Sequence, residues 1–309
     1  MNKSMKAMNT TNNELYTAMQ WIEGGCFLMG SDNYYPEERP TRMEDVPGFW
    51  IDITPVTNAQ FAHFVHETGY VTLAERAPTA EDYPDADPDL LVPGSLVFRP
   101  AQPGEHPRHY TDWWFYVPGA CWKCPDGVNS LTMEDNNKPV VQVCWEDAMA
   151  YALWVGKELP REVEWEYAAR GGLHNQPYAW GSEFQPEGNI MANTWQGIFP
   201  FPGEVTHTHF YGTSPVGTFP ANGYGLFDMI GNVWEWTSDE WQSNHQEQKR
   251  SCCMSSSHLV ERKKVVKGGS HLCAPNYCQR YRPAARQAQT IDSATTHIGF
   301  RCIIRPQPE

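Results

Sequence analysis

The chain has 309 residues, and its 37 acidic against 23 basic side chains give a formal net charge of −14 at pH 7. Such an acidic balance argues against general binding of nucleic acids or of anionic membranes. No stretch holds the roughly 18 consecutive apolar residues of a transmembrane helix, so none is expected.

Cysteine usage and the polar N-terminus bear on the compartment. The count of nine cysteines is odd. The segment from Met1 to Thr17 lacks the apolar run of an export signal. Together these features favour mostly free thiols in a reducing compartment, and therefore a cytoplasmic location.

The sequence predicts a disordered tail over residues 1–18 and a single loop-rich domain over residues 19–309. The 25 prolines and 24 glycines are scattered along the chain rather than gathered in a linker. Trp21–Gly30 predicts an early strand and turn, with Cys26 as a buried apolar thiol. Phe49–Ile53 predicts a second strand.

Three segments carry helix signals. Thr57 begins a capping box with the amide three residues later, and Gly69 ends that helix. A second helix is predicted over Trp145–Gly156. The third opens at Leu159–Pro160, where proline is tolerated in a first turn, and it stops at Gly171–Gly172. Its first turns carry three glutamates that complement the helix dipole: Glu162, Glu164 and Glu166.

Two further segments separate these elements. Ala77–Glu105 is acidic and proline-rich, and it predicts a long irregular excursion. Pro139–Cys144 predicts a short strand. Between them lies a strongly aromatic segment that we assign mostly to the core, with Trp113 or Trp114 as candidates for lining a peptide groove.

Cys121 and Cys124 form a Cys-x-x-Cys pair, which is typical of half a zinc site or of a redox motif. A tetrahedral zinc ion needs two further ligands, and Cys252–Cys253 is the other closely spaced pair. Adjacent cysteines rarely chelate one zinc ion, so unpaired thiols are favoured here.

A second cysteine pair, Cys273 and Cys278, brackets Pro275 and therefore lies on a turning loop rather than a helix. Gly268–Gly269 precedes it and permits close backbone approach. The three arginines that follow predict a positive field that lowers thiol pKa values: Arg280, Arg282 and Arg286. Two soft sulfurs on such a loop suit a redox dithiol or Cu(I), and a structural disulfide is an equal alternative.

A calcium-binding pattern precedes this loop. Asp228 and Glu235 place two carboxylates within eight residues of chain that also offers backbone carbonyls. Hard oxygen ligands at this spacing suit Ca²⁺. The alternative is a turn with satisfied carboxylates.

Several motifs closely resemble the formylglycine-generating enzymes, the sulfatase-modifying factors. The most specific is the cysteine-pair segment, because it marks the catalytic branch of a wide superfamily. The motifs occur in the family's order from about Trp21 onward: Leu159–Gly172, Asn193–Pro200, Asn222–Trp236, Lys267–Arg286 and Asp292–Cys302.

The resemblance implies an α+β, irregular and loop-rich fold of the C-type-lectin-like kind, with few helices and short antiparallel strands. It also implies oxidation of a cysteine to Cα-formylglycine in a sulfatase polypeptide that carries Cys-x-Pro-x-Arg, with molecular oxygen as the oxidant. Cys273 and Cys278 would hold Cu(I), and Ser270 matches the family's active-site serine. Tyr277 is a lesser candidate for shaping the pocket, and Asn276 is as readily a turn former as a catalytic residue.

The family also carries structural calcium. The resemblance assigns one ion to the side chains of Asp228 and Glu235 and the backbone oxygens of Gly231 and Val233. It assigns a second ion to Asn193 and to the carbonyls of Thr194 and Phe210. That second set is incomplete, because the chain has His207–Thr208 in place of the family's aspartate, and neutral groups bind calcium poorly.

The chain departs from the secretory members of the family at their structural disulfides. The matching positions are Ala152, Ala169 and Pro283, which leaves Cys302 without a mate. One alternative function is a non-catalytic, lectin-like partner-binding module on the same scaffold, against which the retained cysteine pair argues. Another is a related iron-dependent sulfoxide synthase, but that enzyme needs a separate helical domain with histidine ligands, and no histidine-rich segment is present.

Overall fold

A computed structural model describes residues 16–204, 210–245 and 262–306 of the chain. These residues form three α-helices, α1 (Asn58–Thr68), α2 (Trp145–Trp154) and α3 (Glu162–Arg170). Eleven short strands accompany them: β1 (Met19–Ile22), β2 (Gly25–Met29), β3 (Arg42–Val46), β4 (Phe49–Asp52), β5 (Gly94–Phe98), β6 (Trp114–Pro118), β7 (Trp234–Glu240), β8 (Lys263–Lys267), β9 (Arg286–Thr290), β10 (Ile298–Gly299) and β11 (Ile303–Ile304).

The strands form two small sheets and two hairpins. One sheet has the order β1-β4-β11, and the other has the order β10-β7-β8-β9. All pairings are antiparallel except that of β10 with β7, and β2-β3 and β5-β6 form the hairpins. The predicted α+β, loop-rich fold with few helices is thereby confirmed. Within the described ranges, no helix is long and apolar enough to cross a membrane.

The helix boundaries follow the local signals in the sequence. The Thr57 amide donates to Gln60 Oε1 at 2.9 Å, which is one half of the predicted capping box. Gly69 ends α1 in the left-handed region at φ 67°. Gly171 ends α3 in the same way, at φ 57°. The third helix begins at Glu162, however, so Pro160 precedes its N-cap instead of occupying the first turn.

Two apolar clusters form the core. The larger joins α1, α2 and β7 through Phe61, Tyr151 and Trp236, and it includes Cys273. The second surrounds Trp165 of α3, which is fully buried, and packs against β1, β4 and β11. The loop that carries the cysteine pair is therefore anchored on the main core.

Three expectations for the elements are wrong. Pro139–Cys144 is not a strand, because its amides bond to separate segments: Val140 N–H donates to Val56 and Gln142 N–H to Thr295. Gln142 also has a φ of 60°, which breaks the extended run. The Ala77–Glu105 excursion is not irregular throughout, since it contains β5. Cys26 lies exposed on β2, where its thiol donates to Asp45, rather than in the core.

Glu162 and Glu164 lie in the first turn of α3, as the helix-dipole prediction requires, and all three glutamates of the helix are also buried in ion pairs. Glu162 accepts two hydrogen bonds from Arg286 of β9, at 2.7 and 2.9 Å. Glu166 accepts a bond of 3.0 Å from Lys267 of β8. Burial alone would raise the pKa of Glu162, but the charges of Lys267 and Arg286 hold it well below its usual range. This ion cluster ties α3 to the two strands that flank the cysteine loop.

Candidate active site

The cysteine loop connects the end of β8 to the start of β9. It begins with Gly268 and Gly269 at φ 94° and 73°. A Cβ on Gly268 would lie 2.9 Å from the Met229 carbonyl oxygen and 3.0 Å from the Trp165 ring, so glycine is required there. The Cys278 amide then donates to the Ala274 carbonyl at 2.9 Å. This turn brings the two cysteines together.

The two sulfurs form a hydrogen-bonded thiol pair. Cys273 Sγ lies 2.9 Å from Cys278 Sγ, and both cysteines are free. A disulfide would require about 2.05 Å. Cys273 is buried at 1% exposure, whereas Cys278 is half-buried. Cys278 is therefore the sulfur on the accessible side of the pair.

The pKa values of Cys273 and Cys278 are shifted in opposite directions. Burial raises the pKa of Cys273 well above its usual value, and its hydrogen bond with Cys278 raises it further. The same hydrogen bond lowers the pKa of Cys278 to about 7, aided by the amide and the positive charge of Arg280. Near neutral pH, Cys278 is thus the thiolate that accepts, and Cys273 is the thiol that donates.

Only one of the three predicted arginines acts on the sulfurs. Arg282 is paired with Glu38, and Arg286 is paired with Glu162. Arg280 lies beside Cys278 and is held by Glu37, which accepts from it at 2.6 Å. Of the three arginines that the sequence predicted to lower the thiol pKa values, Arg280 is therefore the one that acts on Cys278.

Ser270 lies in the same loop but bonds within the backbone turn. Its hydroxyl accepts from the Leu272 amide at 3.2 Å, and its carbonyl accepts from the Cys273 amide at 3.0 Å. These contacts fix the turn that leads to the buried sulfur.

Three aromatic rings, those of Tyr277, Phe199 and Trp113, lie beside the cysteine pair and are called the aromatic wall here. Tyr277 stacks on Phe199 with ring centroids 4.1 Å apart, and the Trp113 ring meets Tyr277 edge-on at 5.9 Å. Of the two predicted groove residues, Trp113 belongs to this wall. Trp114 instead packs against His297, with ring centroids 4.8 Å apart.

Asn276 clasps the cysteine loop to the loop that carries Phe199. Its Nδ2 donates to the Phe199 carbonyl at 3.0 Å, and its Oδ1 accepts from the Phe199 amide at 3.2 Å. The sequence left the role of Asn276 open between turn former and catalytic residue, and the geometry makes it a clasp between two loops.

A second support comes from the loop that precedes β3. The Gln279 amide donates to the Tyr35 hydroxyl at 3.1 Å. The Arg280 guanidinium lies 3.9 Å above the Tyr35 ring. A short sequence motif could not reveal these contacts, because their partners are 244 and 245 positions apart in the chain.

At the first predicted calcium site, both carboxylates already have protein partners. Asp228 accepts from the Gly217 amide at 2.7 Å and from Asn232 at 3.3 Å. Both oxygens of Glu235 accept from Arg301, at 2.7 and 2.8 Å. Trp165 also donates to Glu235, at 2.7 Å. As arranged, Glu235 is bound by the Arg301 guanidinium and is not open to a metal ion, whereas the described residues that donate to Asp228 are neutral groups. Gly231 and Val233, which lie between Asp228 and Glu235 in the sequence, are both buried.

The second predicted calcium set is only partly described. Asn193 donates to the Gly212 carbonyl at 3.0 Å, and the Thr194 carbonyl accepts from Gln196 at 3.2 Å. Phe210 packs against Phe219. His207–Thr208 lies outside the described residues, as does the Cys252–Cys253 pair. Within the described part of the chain, no three His, Cys, Asp or Glu side chains form a metal-binding group.

Comparison with known proteins agrees with the motifs. Residues 4–306 match the family described as the sulfatase-modifying factor enzyme 1-like domain. A Mycobacterium tuberculosis protein named formylglycine-generating enzyme is 50% identical over 298 residues, which cover 94% of this chain and 99% of the relative. A Mus musculus protein named inactive C-alpha-formylglycine-generating enzyme 2 is 40% identical over 291 residues, covering 92% of this chain and 85% of the relative.

Among solved structures, PvdO from Pseudomonas aeruginosa is similar in fold. Its TM-score is 0.61 at 23% identity, with 92% of this chain and 93% of that chain covered. This neighbour shows the fold alone, whereas the family match and the 50% identity show that the chain belongs to the formylglycine-generating enzyme family, the sulfatase-modifying factors.

Proposed function

We propose that this protein oxidises a cysteine of a sulfatase polypeptide to Cα-formylglycine, using molecular oxygen and Cu(I). The observation that carries the proposal is the pair of free thiols 2.9 Å apart, Cys273 and Cys278, beside an aromatic wall. Family membership alone does not suffice, since a relative named as inactive is 40% identical to this chain.

The donor set of the pair fits Cu(I). Two adjacent sulfurs are soft ligands, which favour Cu(I) over hard cations. One of them loses its proton near neutral pH, because the pKa of Cys278 is lowered to about 7. When bound, the copper ion would supply the redox chemistry that activates oxygen beside the substrate thiol.

The chain's own groups would bind and orient the substrate. Cys273 holds the shared proton at Sγ, and this proton must leave when both sulfurs become ligands. Arg280 then offsets the negative charge that two thiolates leave on the site. Tyr277 is 51% exposed, and its ring would suit the proline of a Cys-x-Pro-x-Arg segment, while the buried Trp113 supports that ring edge-on.

The test is an anaerobic Cu(I) titration with a Cys-x-Pro-x-Arg peptide, followed by mass spectrometry after oxygen is added. We expect an aldehyde product from the unaltered protein and none from Cys273→Ala. Cys26→Ala is the matched control, because that thiol is exposed on β2, and it should convert peptide normally.

Two results would contradict the proposal: no aldehyde from the unaltered protein, or equal conversion by Cys273→Ala. Peptide binding without conversion would favour the alternative, a non-catalytic partner-binding module on the same scaffold.

Cytoplasmic location and structural calcium stay predictions. The seven cysteines of the described residues are all free, which supports a reducing compartment. Calcium at Asp228 and Glu235 would require Glu235 to share or release Arg301. Calorimetric titration of chelator-treated protein with Ca²⁺ tests this site, and the absence of binding would remove it.

A further inference from the structure

The Cys-x-x-Cys segment takes no part in the proposed reaction, but its backbone is arranged for a disulfide. Cys121 and Cys124 face each other in an isolated antiparallel bridge. The Cys121 amide donates to the Cys124 carbonyl at 3.1 Å, and the Cys124 amide donates back to the Cys121 carbonyl at 3.0 Å. Residues opposed in this way have Cα atoms about 5.5 Å apart. That separation lies within the range that a disulfide spans.

The two thiols share a small apolar niche at different depths. Both are free, and both pack with Ala74 and Ala294. Cys121 is buried at 4% exposure, whereas Cys124 is half-exposed. The Cys124 thiol can therefore react with a reagent from solvent, whereas the adjacent Cys121 thiol is shielded from it.

The turn itself is anchored on both sides. The Lys123 carbonyl accepts from the Leu131 amide at 2.9 Å. The Pro125 carbonyl accepts from the Gln142 side chain at 2.8 Å. Because the backbone is already fixed with the cysteines opposite each other, a bond between the sulfurs needs rotation of the two side chains and no rearrangement of the fold.

We propose that Cys121 and Cys124 form a reversible redox pair that exchanges with small-molecule thiols and disulfides of the glutathione class. The Cys124 thiolate attacks the small disulfide and releases one thiolate, which leaves a mixed disulfide on Cys124. The Cys121 thiolate then attacks the Cys124 sulfur and releases the second. The pair loses two electrons and two protons, and the small disulfide becomes two thiols.

A metal site is the competing use of such a pair, and the surroundings favour it less. Within the described ranges, no third His, Cys, Asp or Glu joins the two cysteines in a metal-binding group. The nearby carboxylate of Glu75 is held by the Lys123 ammonium, at 2.6 Å. The position of Lys123 between the two cysteines also makes the disulfide easy to detect.

The experiment equilibrates the full-length protein in buffers of defined ratio of reduced to oxidised glutathione, blocks free thiols, and digests with trypsin. Cleavage after Lys123 separates the two cysteines onto fragments 109–123 and 124–157, because Pro139 protects Lys138 from cleavage. We expect the fragments to stay joined after equilibration in oxidising buffer and to separate after reduction. Fragmentation spectra should assign the bond to Cys124 and not to Cys144.

Single variants test the order of the two steps. Cys121→Ser should trap a glutathione adduct on Cys124, since no thiol is left to resolve it. Cys124→Ser should leave Cys121 without an adduct, because that thiol is buried. Cys26 is the internal control, because it is exposed and should carry an adduct in every variant.

Three outcomes would overturn the proposal. In the first, the fragments separate at every glutathione ratio while Cys26 carries its adduct. In the second, the joined fragments are linked through Cys144. In the third, a zinc or copper ion is retained by the unaltered protein in native mass spectra, is lost in Cys124→Ser, and no disulfide forms, which would assign the pair to metal binding.

Discussion

The chain holds two pairs of neighbouring thiols in two different ways. Cys121 and Cys124 face each other through reciprocal backbone hydrogen bonds inside one tight turn. Cys273 and Cys278 meet at 2.9 Å on a longer loop. That loop is supported by residues from distant parts of the chain. The backbone bonds that oppose the first pair are therefore local, whereas the second pair is placed by contacts with distant segments. Changes to distant residues should disturb the second pair and spare the first.

The largest effect is expected from breaking the buried ion cluster below the second pair. Lys267→Met leaves Glu162 and Glu166 buried with one cationic partner fewer each. Removing one partner of a buried ion pair costs about 3–5 kcal/mol. Urea denaturation should show a loss of this size, together with weaker Cu(I) binding.

Lys123→Met is the matched control, since Lys123 is 60% exposed in its pair with Glu75. An exposed pair contributes less than about 1 kcal/mol. Equal losses of unfolding free energy and of Cu(I) affinity in Lys267→Met and Lys123→Met would show that the cysteine loop does not depend on the ion cluster.

The next effect is expected from opening the clasp on the cysteine loop. Asn276→Ala leaves the Phe199 amide and carbonyl without their partner. The two bonds are partly buried, and a hydrogen bond of this kind contributes about 0.5–1.5 kcal/mol. Urea denaturation should detect this loss, and copper titration should show weaker Cu(I) binding. Disulfide formation at Cys121 and Cys124 should not change. If Asn276→Ala binds Cu(I) as the unaltered protein does, the clasp has no part in placing the sulfurs.

The pH dependence of alkylation tests the thiolate of the second pair. With a pKa lowered to about 7, Cys278 is mostly protonated below that pH and mostly thiolate above it. Alkylation of metal-free protein by iodoacetamide, followed by peptide mass spectrometry, should therefore rise at Cys278 through about pH 7. Arg280→Gln removes a positive charge beside the sulfur and should move the midpoint to higher pH. An unchanged midpoint in this variant would mean that the hydrogen bond from Cys273 sets the thiolate without help.

The smallest effect is expected at a thiol that belongs to neither pair. Cys26 is exposed and makes one hydrogen bond, to Asp45. Cys26→Ser keeps a donor of similar size, so the free energy of unfolding should change by less than about 0.5 kcal/mol. A larger loss would show that β2 depends on this thiol, and Cys26 would then be unsuitable as a control.

Local signals in the sequence predicted their elements well. The capping box at Thr57 and the stop at Gly171 each act within a few residues, and both appear in the structure. The prediction of a strand over Pro139–Cys144 was wrong because β-propensity does not reveal hydrogen-bond partners. Those partners, such as Val56 and Thr295, lie in other segments.

The same limit applies at the candidate site. Spacing and residue type identified Cys273 and Cys278, but not what holds them. Arg286 was expected to act on the sulfurs, yet it pairs with Glu162, 124 positions away in the chain. Ion pairs between distant residues cannot be predicted without the fold, because the sequence contains many acidic residues that could pair with each arginine.

The pairing of β11 with β4 has a consequence for how the protein is made. Cys302, beside β11, donates its amide to Asp52 of β4, although the two residues are 250 positions apart. Strand β4 leaves the ribosome long before its partner has been translated. The sheet can therefore close only after nearly all of the chain has emerged, and contacts so distant in sequence slow folding. During synthesis, Cys273 and Cys278 also emerge before that closing strand, so the cysteine pair is translated before this sheet is complete.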